Sequence, residues 1–313
     1  MKAINFFRTY SVRLYPTNNQ KEELNKMLHK NNISKSKYKL IIQLTKNNYK
    51  IDIIDKKIMI NDINNYIRIK HKFTENYNIH FGNNIKHIKT ILVKDNINNY
   101  YLNETYLSFE FNYNILNNKK AIGIDLGIKN YITTSDNNFY HKPDTSKLYR
   151  KLEIEKQKLI NKRKRAYKDN RDLLNCKNYQ KQRIKVSKLY KKIHNININF
   201  INQTINEILT NYDIVCLENL DIKEMMKNKK MHNKILMQSW NTFVKKIVYQ
   251  AKIRNKKIYF VNKYYSSTNI CSHCKKKNNK LKLNERVFNC SYCGLSIDRD
   301  VNASINILNA VIR

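Results

Sequence analysis

Residues 121–127 read Ala-Ile-Gly-Ile-Asp-Leu-Gly, a short apolar run that carries an acid between two glycines. The run has the length and composition of a buried strand, and Tyr-Ile-Thr-Thr at 131–134 fits the second strand of a hairpin. The chain has only four glycines in 313 residues, so a glycine at such a place indicates that the backbone requires one. The stretch predicts the start of an α/β sheet with Asp125 at the end of a core strand.

Two further acids stand at the ends of apolar elements. Tyr-Asp-Ile-Val-Cys-Leu-Glu-Asn-Leu at 212–220 places Glu218 at the end of a second strand, and Asp-Arg-Asp at 298–300 opens a helix over 298–308. One such acid alone is commonly a helix cap or a solvated boundary residue. Strand ends in a strand-helix-strand sheet converge on one edge, so three acids there predict a site for divalent metal.

Two long helices are predicted between these strands, over 146–168 and 178–211, and apolar residues recur in the second at alternating spacings of three and four. Their outer faces are basic, as in Asn-Lys-Arg-Lys-Arg at 161–165. A single charge run is usually a solvated face. Runs on both helices with tyrosines between them favour a surface that follows a nucleic-acid backbone, and the candidate contacts are Arg163, Lys164 and Arg165.

The cysteines include two Cys-x-x-Cys pairs, Cys-Ser-His-Cys at 271–274 and Cys-Ser-Tyr-Cys at 290–293, with fifteen residues between them. Each pair forms a tight turn that aims two thiolates at one point, and two such turns complete a tetrahedron. The alternatives are two disulfides or a redox pair, and disulfides are rare in the cytosol. The spacing predicts one structural Zn²⁺ in a ribbon over about 266–297, held by Cys271, Cys274, Cys290 and Cys293.

The remaining details of the ribbon follow from the same turns. His273, Cys176 and Cys216 are expected to be bystanders, since four thiolates fill the site. Gly294 supplies the positive φ that follows a second pair. Lys275 occupies the equivalent position after the first pair, so the first turn is expected to be less regular.

The charge balance indicates which kinds of partner the chain can bind. Lys and Arg number 61 against 24 Asp and Glu, a formal net charge of +37, which makes nucleic acid the leading partner and an anionic membrane the other candidate. No apolar run approaches the roughly 18 residues of a membrane span, and the N-terminus lacks the pattern of a secretory leader. A cytoplasmic protein without membrane contact is expected, nucleoid-associated if the host is bacterial.

The first third of the chain has weaker patterns. Residues 8–16 alternate as a strand, and Thr17–Leu28 has helical spacing. Residues 29–85 are predicted to hold short helices, and alternation returns from Ile85 to Tyr113. These patterns predict a β-barrel-like unit with a helical insert at about 29–85.

From Ala121 onward the chain resembles the TnpB (OrfB) proteins of bacterial insertion sequences, which are related to the compact type V CRISPR effector nucleases. Residues 10–17, followed by Gln20 and Lys21, resemble that family's opening strand and helix more loosely. The matching motifs occur in the family's order, and they are Gly-Ile-Asp-Leu-Gly-Ile-Lys-Asn at 123–130, Ile-Val-Cys-Leu-Glu-Asn-Leu at 214–220, Ser-Trp-Asn-Thr-Phe at 239–243, Tyr-Ser-Ser-Thr at 265–268, the two cysteine pairs with Arg286 between them, and Asp-Arg-Asp-Val-Asn-Ala-Ser-Ile-Asn-Ile at 298–307.

The resemblance implies an α/β RNase H-like (RuvC) nuclease domain at 120–313 with an inserted zinc ribbon, preceded by a wedge and helical recognition region at 1–119. It implies RNA-guided cleavage of DNA beside a short flanking motif, with guide RNA and target DNA as partners and no small-molecule substrate. By motif match, Mg²⁺ (two ions, replaceable by Mn²⁺) would be held by Asp125, Glu218 and Asp300, with Asp298 as the alternative third acid. Arg286 would contact nucleic acid or stabilise the ribbon.

The sequence departs from the family's pattern in places, and two other functions are possible with the same motifs. Ser304 replaces a small apolar residue, and residues 40–85 match no motif of the family. The same acids and metals would also serve a transposase that joins DNA strands. A zinc-ribbon protein that binds nucleic acid without cleaving it is the alternative from another class.

Overall fold

The computed structural model describes residues 4–30, 40–52, 57–61, 63, 67–69, 85–110, 119–227, 229–262, 265–279, 281 and 285–312. The chain divides into two compact units. The first consists of residues 1–112 and 151–190, and the second of residues 113–150 and 191–313.

The first unit is built on an antiparallel sheet of seven strands in the order β2-β6-β7-β1-β5-β4-β3. Helix α1 (Asn18–Lys30) follows the first strand and packs Leu24 and Leu28 into the sheet's core beside Val12. The strands are β1 (Ile4–Tyr15), β2 (Leu40–Leu44), β3 (Tyr49–Asp52), β4 (Lys57–Ile60), β5 (Ile67–Ile69), β6 (Ile85–Lys94) and β7 (Tyr100–Glu110).

A side chain on the edge strand β3 shows how this sheet curves. The hydroxyl of Tyr49 lies 2.7 Å from Thr90 Oγ1 on β6 and donates to Glu104 Oε1 on β7 at 2.8 Å. Strands β6 and β7 stand near the opposite edge of the strand order. The sheet therefore curls until its two sides meet across the core, which gives the nearly closed, barrel-like form expected from the sequence.

The short helices predicted for residues 29–85 are wrong wherever that range is described. The described residues form the end of α1, strands β2 to β5 and one 3₁₀ turn at Lys46–Asn48. In β4 the burial alternates, with Ile58 and Ile60 inside. The period of two is present in β3, β4 and β5, but each of these strands has only three or four residues, which is too short for the pattern to distinguish a strand from a helical turn.

The second unit holds a mixed sheet in the order β10-β9-β8-β11-β12. Strands β10, β9 and β8 pair antiparallel, whereas β11 runs parallel to both β8 and β12. The strands are β8 (Ala121–Leu126), β9 (Ile132–Thr134), β10 (Phe139–Tyr140), β11 (Ile214–Glu218) and β12 (Lys257–Val261).

Helices join these strands and cover the sheet. The long helices α2 (Ser146–Lys168) and α3 (Lys177–Asn211) link β10 to β11 and contribute residues to both units. Between β11 and β12 lie α4 (Ile222–Met225), α5 (Lys229–Gln238) and α6 (Trp240–Ile253), and after β12 come the hairpin β13 (Val287–Asn289) and β14 (Ser296–Asp298) and the helix α7 (Arg299–Asn309). Ile205 of α3 and Phe243 of α6 share one core cluster with Ile124 of β8.

Helix α7 approaches the sheet closely at a glycine. A Cβ atom at Gly123 would lie 2.0 Å from the backbone oxygen of Ser304 and 2.8 Å from the backbone nitrogen of Leu308. No real side chain tolerates such contacts with backbone. Glycine at 123 therefore lets α7 pack directly on β8, and this packing sets where the start of α7 lies.

Candidate functional site

Two of the predicted acids stand side by side on parallel strands. Ile124 of β8 is the register partner of Leu217 of β11, so Asp125 and Glu218 each follow the same paired position. Parallel strands present their carboxyl ends at one edge of a sheet. Asp125 is buried there and Glu218 is half-buried.

The third acid position lies at the start of α7, where Asp298 and Asp300 have different roles. Asp298 is the helix cap, because its Oδ1 accepts from the backbone N–H groups of Asp300 at 2.8 Å and Val301 at 3.1 Å. Asp300 is buried and makes no cap. Its oxygens lie 3.4 Å from Arg299 Nε and 3.8 Å from Arg286 Nη1.

The neighbouring acids influence the ionisation of Asp125. The pKa of Asp125 is raised well above its ordinary value, chiefly by burial and then by the charges of Glu218, Asp300 and Asp298, while Arg299 opposes the shift. Burial also raises the pKa of Glu218, although the hydroxyl of Ser267 donates to its Oε1 and offsets part of the effect. Crowded, buried carboxylates resist ionisation until a cation joins them. Among the described residues, only the four cysteines of the ribbon stand close enough together to enclose a metal ion, so the metal-binding role of Asp125, Glu218 and Asp300 stays a prediction.

Two side chains around the acids, Arg299 and Ser267, add to the predicted set, and the predicted Arg286 lies beside them. Arg286 was expected to touch nucleic acid or to stabilise the ribbon; its guanidinium faces Asp300 while its side chain stays 41% exposed. Arg299 and Ser267 contact Asp300 and Glu218 directly. Their only sequence signal is that each belongs to one of the quoted motifs, Asp-Arg-Asp and Tyr-Ser-Ser-Thr.

The four predicted cysteine ligands are brought together in the ribbon, where their sulfur atoms all lie within 4.8 Å of one another. The Sγ atoms of Cys271 and Cys293 are 3.6 Å apart, as are those of Cys274 and Cys290. Four thiolates around tetrahedral zinc stand about 3.8 Å apart, given a Zn–S bond of about 2.3 Å. A disulfide would need about 2.05 Å. The thiols therefore fit zinc and form no disulfide.

The two cysteine turns have the same geometry. Lys275 has φ 62° and Gly294 has φ 73°, and each donates its N–H to the carbonyl of the first cysteine of its pair at 3.0 Å. The expectation of a less regular first turn is wrong. Lysine adopts the left-handed conformation here, at a cost of about 1 kcal/mol that glycine would avoid.

The pKa values of two thiols in the ribbon are shifted in opposite directions. Burial opposes ionisation of Cys290, but the backbone N–H groups of Tyr292 and Cys293 and the side chain of Asn278 outweigh it and lower the pKa of this thiol to about 6. The Asn278 contact, from Nδ2 to Sγ, is 3.5 Å long. Cys293 shifts the other way: the backbone N–H of Leu295 lowers its pKa, but burial and the thiols of Cys290, Cys274 and Cys271 outweigh it and raise the pKa to about 12.

Two buried asparagines fasten the ribbon to α7. Asn302 accepts from the backbone N–H of Ser272 at 2.8 Å and donates to the carbonyl of Ile270 at 2.8 Å. Asn306 donates to the carbonyl of Ser267 at 2.9 Å. The ribbon is thus tied to the helix that carries Asp300. The sequence analysis missed this role; the signal was two asparagines one turn apart on an otherwise apolar face.

The basic residues predicted to contact nucleic acid, Arg163, Lys164 and Arg165, lie on α2 in the first unit and are exposed. Behind them, Glu155 joins α2 to α3. It accepts from Gln182 Nε2 at 2.6 Å and pairs with Lys185 at 3.0 Å, and these partners lower its pKa to about 2. One buried acid therefore holds the two helices while basic side chains remain outside.

Across the described ranges, no helix combines the length and apolarity that crossing a membrane requires.

Two family models match successive parts of the chain. Residues 111–229 match OrfB_IS605, described as "Probable transposase". Residues 240–307 match the Cas12f1-like TNB domain. All three candidate acids and all four cysteines fall within these two stretches.

Several curated proteins are similar to the chain over about 60% of its length. A Streptomyces pristinaespiralis protein provisionally named an RNA-guided DNA endonuclease is 25% identical over 190 residues, which cover 61% of this chain and 45% of that protein. InsQ of Escherichia coli K12, with the same provisional name, is 23% identical over 60% of this chain and 48% of its own. A TnpB-like protein, L79, of Acanthamoeba polyphaga mimivirus is 23% identical over 64% of this chain and 39% of its own.

The chain thus spans less than half the length of the curated relatives it matches. The fold agrees with a solved structure, the cryo-EM structure of a Cas12f1–sgRNA–target DNA complex. The TM-score is 0.58 at 16% identity, over 92% of this chain and 68% of that one. The resemblance found in the sequence is confirmed: the chain is TnpB-like, with an OrfB-type region at 111–229 followed by a Cas12f1-like TNB domain at 240–307.

Proposed function

We propose that the chain is an RNA-guided, metal-dependent DNA endonuclease encoded by a transposable element. The observation that carries the proposal is that the charges of Glu218 and Asp300 act on the buried Asp125 and raise its pKa, in a chain whose net charge is +37. The names of the relatives and the fold shared with Cas12f1 support it.

In this proposal residues 120–313 form an RNase H-like (RuvC) nuclease domain with an inserted zinc ribbon, and residues 1–119 form the preceding wedge and recognition region. The mixed sheet supports the RNase H-like assignment, because three antiparallel strands continue into two parallel ones. The strand ends of such a sheet form its usual ligand edge. Guide RNA and target DNA are the proposed partners, and the basic face of α2 with Arg163, Lys164 and Arg165 would follow their backbones.

The three acids would hold Mg²⁺, or Mn²⁺ in its place, through their carboxylate oxygens. When bound, two such ions activate water and stabilise the leaving oxygen of a phosphodiester. The chain's own contribution is positioning: β8 and β11 fix Asp125 and Glu218, and the packing of α7 on Gly123 fixes Asp300. Ser267 orients Glu218 by its hydrogen bond. Asp298 serves as the helix cap, which supports Asp300 as the third ligand.

Arg286 lies between the acids and the solvent. Its guanidinium approaches Asp300 at 3.8 Å and remains partly exposed. A phosphate at the acids could therefore share the same arginine, since guanidinium forms paired hydrogen bonds with phosphate oxygens. Arg286 is in this way suited to hold the strand that is cut.

Strand transfer is the second candidate function, favoured by the transposase description of the model that matches residues 111–229. Hydrolysis and strand transfer use the same acids, so their products distinguish them. Free cut ends support the endonuclease, and joined DNA molecules support the transposase. Binding without either product would support a zinc-ribbon nucleic-acid binder.

The test begins with the gene expressed beside its native flanking DNA, followed by sequencing of the RNA that copurifies with the protein. One defined RNA that runs into adjacent sequence supplies the guide for a cleavage assay with Mg²⁺. Asp300→Asn should abolish cleavage, whereas Asp298→Asn should retain it, because asparagine caps a helix as well as aspartate does. Loss of cleavage in Asp298→Asn with activity left in Asp300→Asn would reverse the assignment of the third acid. A random mixture of cellular RNA would contradict guided cleavage.

A further inference from the structure

The second unit contains a cavity of about 610 Å³ to which none of the candidate acids contributes. Its walls come from the turn after β8, the segment between β10 and α2, the start of α2, one residue of α3 and the end of α5. The volume lies within the range of small-molecule sites, about 300–1,000 Å³. The cavity is therefore large enough for one nucleotide.

Positive charge surrounds the opening. Lys129, His141 and Arg150 line the cavity and are exposed, and the one acid among the lining residues, Asp144, accepts from the backbone N–H of Ser146 at 2.9 Å. The Ser146 hydroxyl lies 3.2 Å from the other Asp144 oxygen. Lys129 and Arg150 carry permanent positive charges, and the carboxylate of Asp144 is already hydrogen-bonded to Ser146. The opening of the cavity therefore favours an anionic group.

Lys142 has a different part in the cavity. Its ammonium donates to the carbonyl of Met237 at 2.5 Å and lies 3.4 Å from that of Gln238, at the end of α5. It also lies 5.4 Å from the ring centroid of Tyr131. Lys142 thus fixes α5 against the inner wall, and the amide of Gln238 adds a 3.5 Å contact to the carbonyl of Ile128.

Three lining residues carry buried polar atoms that have no hydrogen-bond partner among the described residues: Tyr131 Oη, Asn197 Oδ1 and Gln238 Oε1. Tyr131 is 1% exposed and Asn197 is 7% exposed. Buried polar groups in native proteins are almost always paired, and an orphan costs about 1–3 kcal/mol. Three orphans around one cavity indicate a ligand that supplies the missing partners.

The chemistry of that ligand follows from the orphans. Two of them are amide oxygens, which need N–H donors, and one is a hydroxyl that can donate. Adenine, cytosine and guanine each offer an exocyclic amino group, whose two N–H donors can serve both amide oxygens, and ring acceptors, whereas the base edge of uracil has a single N–H donor at N3. Side-chain amides and aromatic rings are the usual partners of unstacked RNA bases.

The geometry points to a nucleotide pocket: the cavity takes one unpaired nucleotide with an amino-bearing base, its base edge toward Asn197 and Gln238 and its phosphate toward Lys129 and Arg150. The nucleotide is either free or part of an RNA strand. This inference goes beyond the proposed cleavage, since the acids lie outside the cavity and nucleotide binding needs neither metal nor DNA.

The test uses the full, zinc-loaded chain, freed of RNA, in calorimetric titrations with AMP, CMP, GMP, UMP and adenosine. We expect AMP to bind at least about fivefold more tightly than UMP or adenosine, through its amino group and its phosphate respectively. The double variant K129Q/R150Q should weaken AMP binding about tenfold. The matched control K147Q/K151Q removes the same charge from exposed positions that do not line the cavity and should change binding less than about twofold.

Competition identifies the source of the nucleotide. An RNA hairpin with one bulged adenosine and no terminal phosphate should displace AMP if the pocket takes a strand, and only 5′-monophosphates should do so if it takes a free nucleotide or an end. Equal weakening by the two double variants, equal affinity for AMP and UMP, or no saturation at millimolar AMP would overturn the inference. Asp125→Asn should bind AMP normally, so a failure of cleavage and a failure of this pocket are separate results.

Discussion

The cysteine cluster and the acid cluster are both candidate metal sites, but they are assembled in different ways. The four thiols come from two turns within one short ribbon, and their spacing already matches a tetrahedron. The three carboxylates come from two strands and a helix that are distant in the chain. That helix, α7, is held against the strands by its packing on Gly123. The zinc site depends on local turn geometry, whereas the acid site depends on the whole second unit.

The two clusters also differ in charge. Hydrogen bonds lower the pKa of Cys290 to about 6, whereas burial and the nearby thiols raise that of Cys293 to about 12, so the ribbon favours a single thiolate when no metal is bound. Burial and the charges of the neighbouring acids raise the pKa of Asp125, and burial raises that of Glu218, so the sheet edge disfavours both carboxylates. The ribbon therefore holds one anion more readily than the acid cluster does.

The largest expected effect is loss of zinc. Cys290→Ser, or removal of zinc by a chelator, should unfold the ribbon, because structural zinc contributes on the order of 10 kcal/mol. Hydrogen exchange at the Ser272 amide, which bonds to Asn302, should rise to that of an open chain. Cys176→Ser, outside the cluster, is the control and should leave exchange unchanged. An identical melting profile before and after chelation would contradict a structural zinc site.

Asp125→Asn should abolish the activity of the acid site and, unlike the loss of zinc, should not destabilise the fold. Cleavage should fall by about a thousandfold or more as a metal ligand is lost, yet the metal-free variant should be more stable than the parent near pH 7. A carboxyl whose pKa is raised on folding loses stability as pH rises above its unfolded value, about 3.9 for Asp. Urea titrations without metal at pH 5 and 8 should therefore show that the free energy of unfolding falls more steeply with rising pH in the parent than in the variant. Equal slopes would argue against crowding of the acids.

Gly123→Ala should separate α7 from β8. The added methyl meets backbone atoms of Ser304 and Leu308 that cannot turn aside, so unfolding free energy should drop by about 3 kcal/mol. Cleavage should fall with it because Asp300 moves, while zinc content should stay at one ion per chain. A variant with full cleavage would show that α7 can shift without displacing the acid.

The smallest effect concerns the two cysteine turns. Gly294→Ala should cost about 1 kcal/mol, since its φ of 73° is strained for any side chain although nothing lies near the Cβ position. Lys275→Ala is the matched control and should change stability by less than about 0.5 kcal/mol, because that position already carries a side chain at positive φ. Thermal melts of the zinc-loaded variants would compare the two, and equal losses would refute the strain argument.

The sequence predicted the long helices and the second unit better than the sheet of the first unit. Helix α2 was expected at 146–168 and observed there, and α7 differs from its prediction by one residue at each end. Long apolar periodicity and the acidic cap at Asp298 carried those predictions. In the first unit, β2 to β5 are short strands, and β2 and β5 pair with the remote strands β6 and β1; a pattern read along the chain cannot show which face a remote strand will cover.

The candidate site was predictable in its ligands and not in their surroundings. Asp125 and Glu218 follow from apolar strands that end in acids, and the cysteines follow from their spacing. The contact of Arg299 with Asp300 and the anchoring by Asn302 depend on how α7 packs, which no local pattern encodes. Abundant asparagine and lysine in this chain hide the few that have such contacts.

The packing of α7 on β8 also sets the order in which the acid site can be completed during synthesis. Asp125 leaves the ribosome long before Asp300, and at 5–20 residues per second the interval is on the order of 10–30 s. Until Asp300 emerges, helix α7 cannot cover β8 at Gly123, and the sheet edge has at most two of its three acids. The basic helices α2 and α3 precede α7 in the chain, so a growing chain carries a surface for polyanions before its acid cluster is complete.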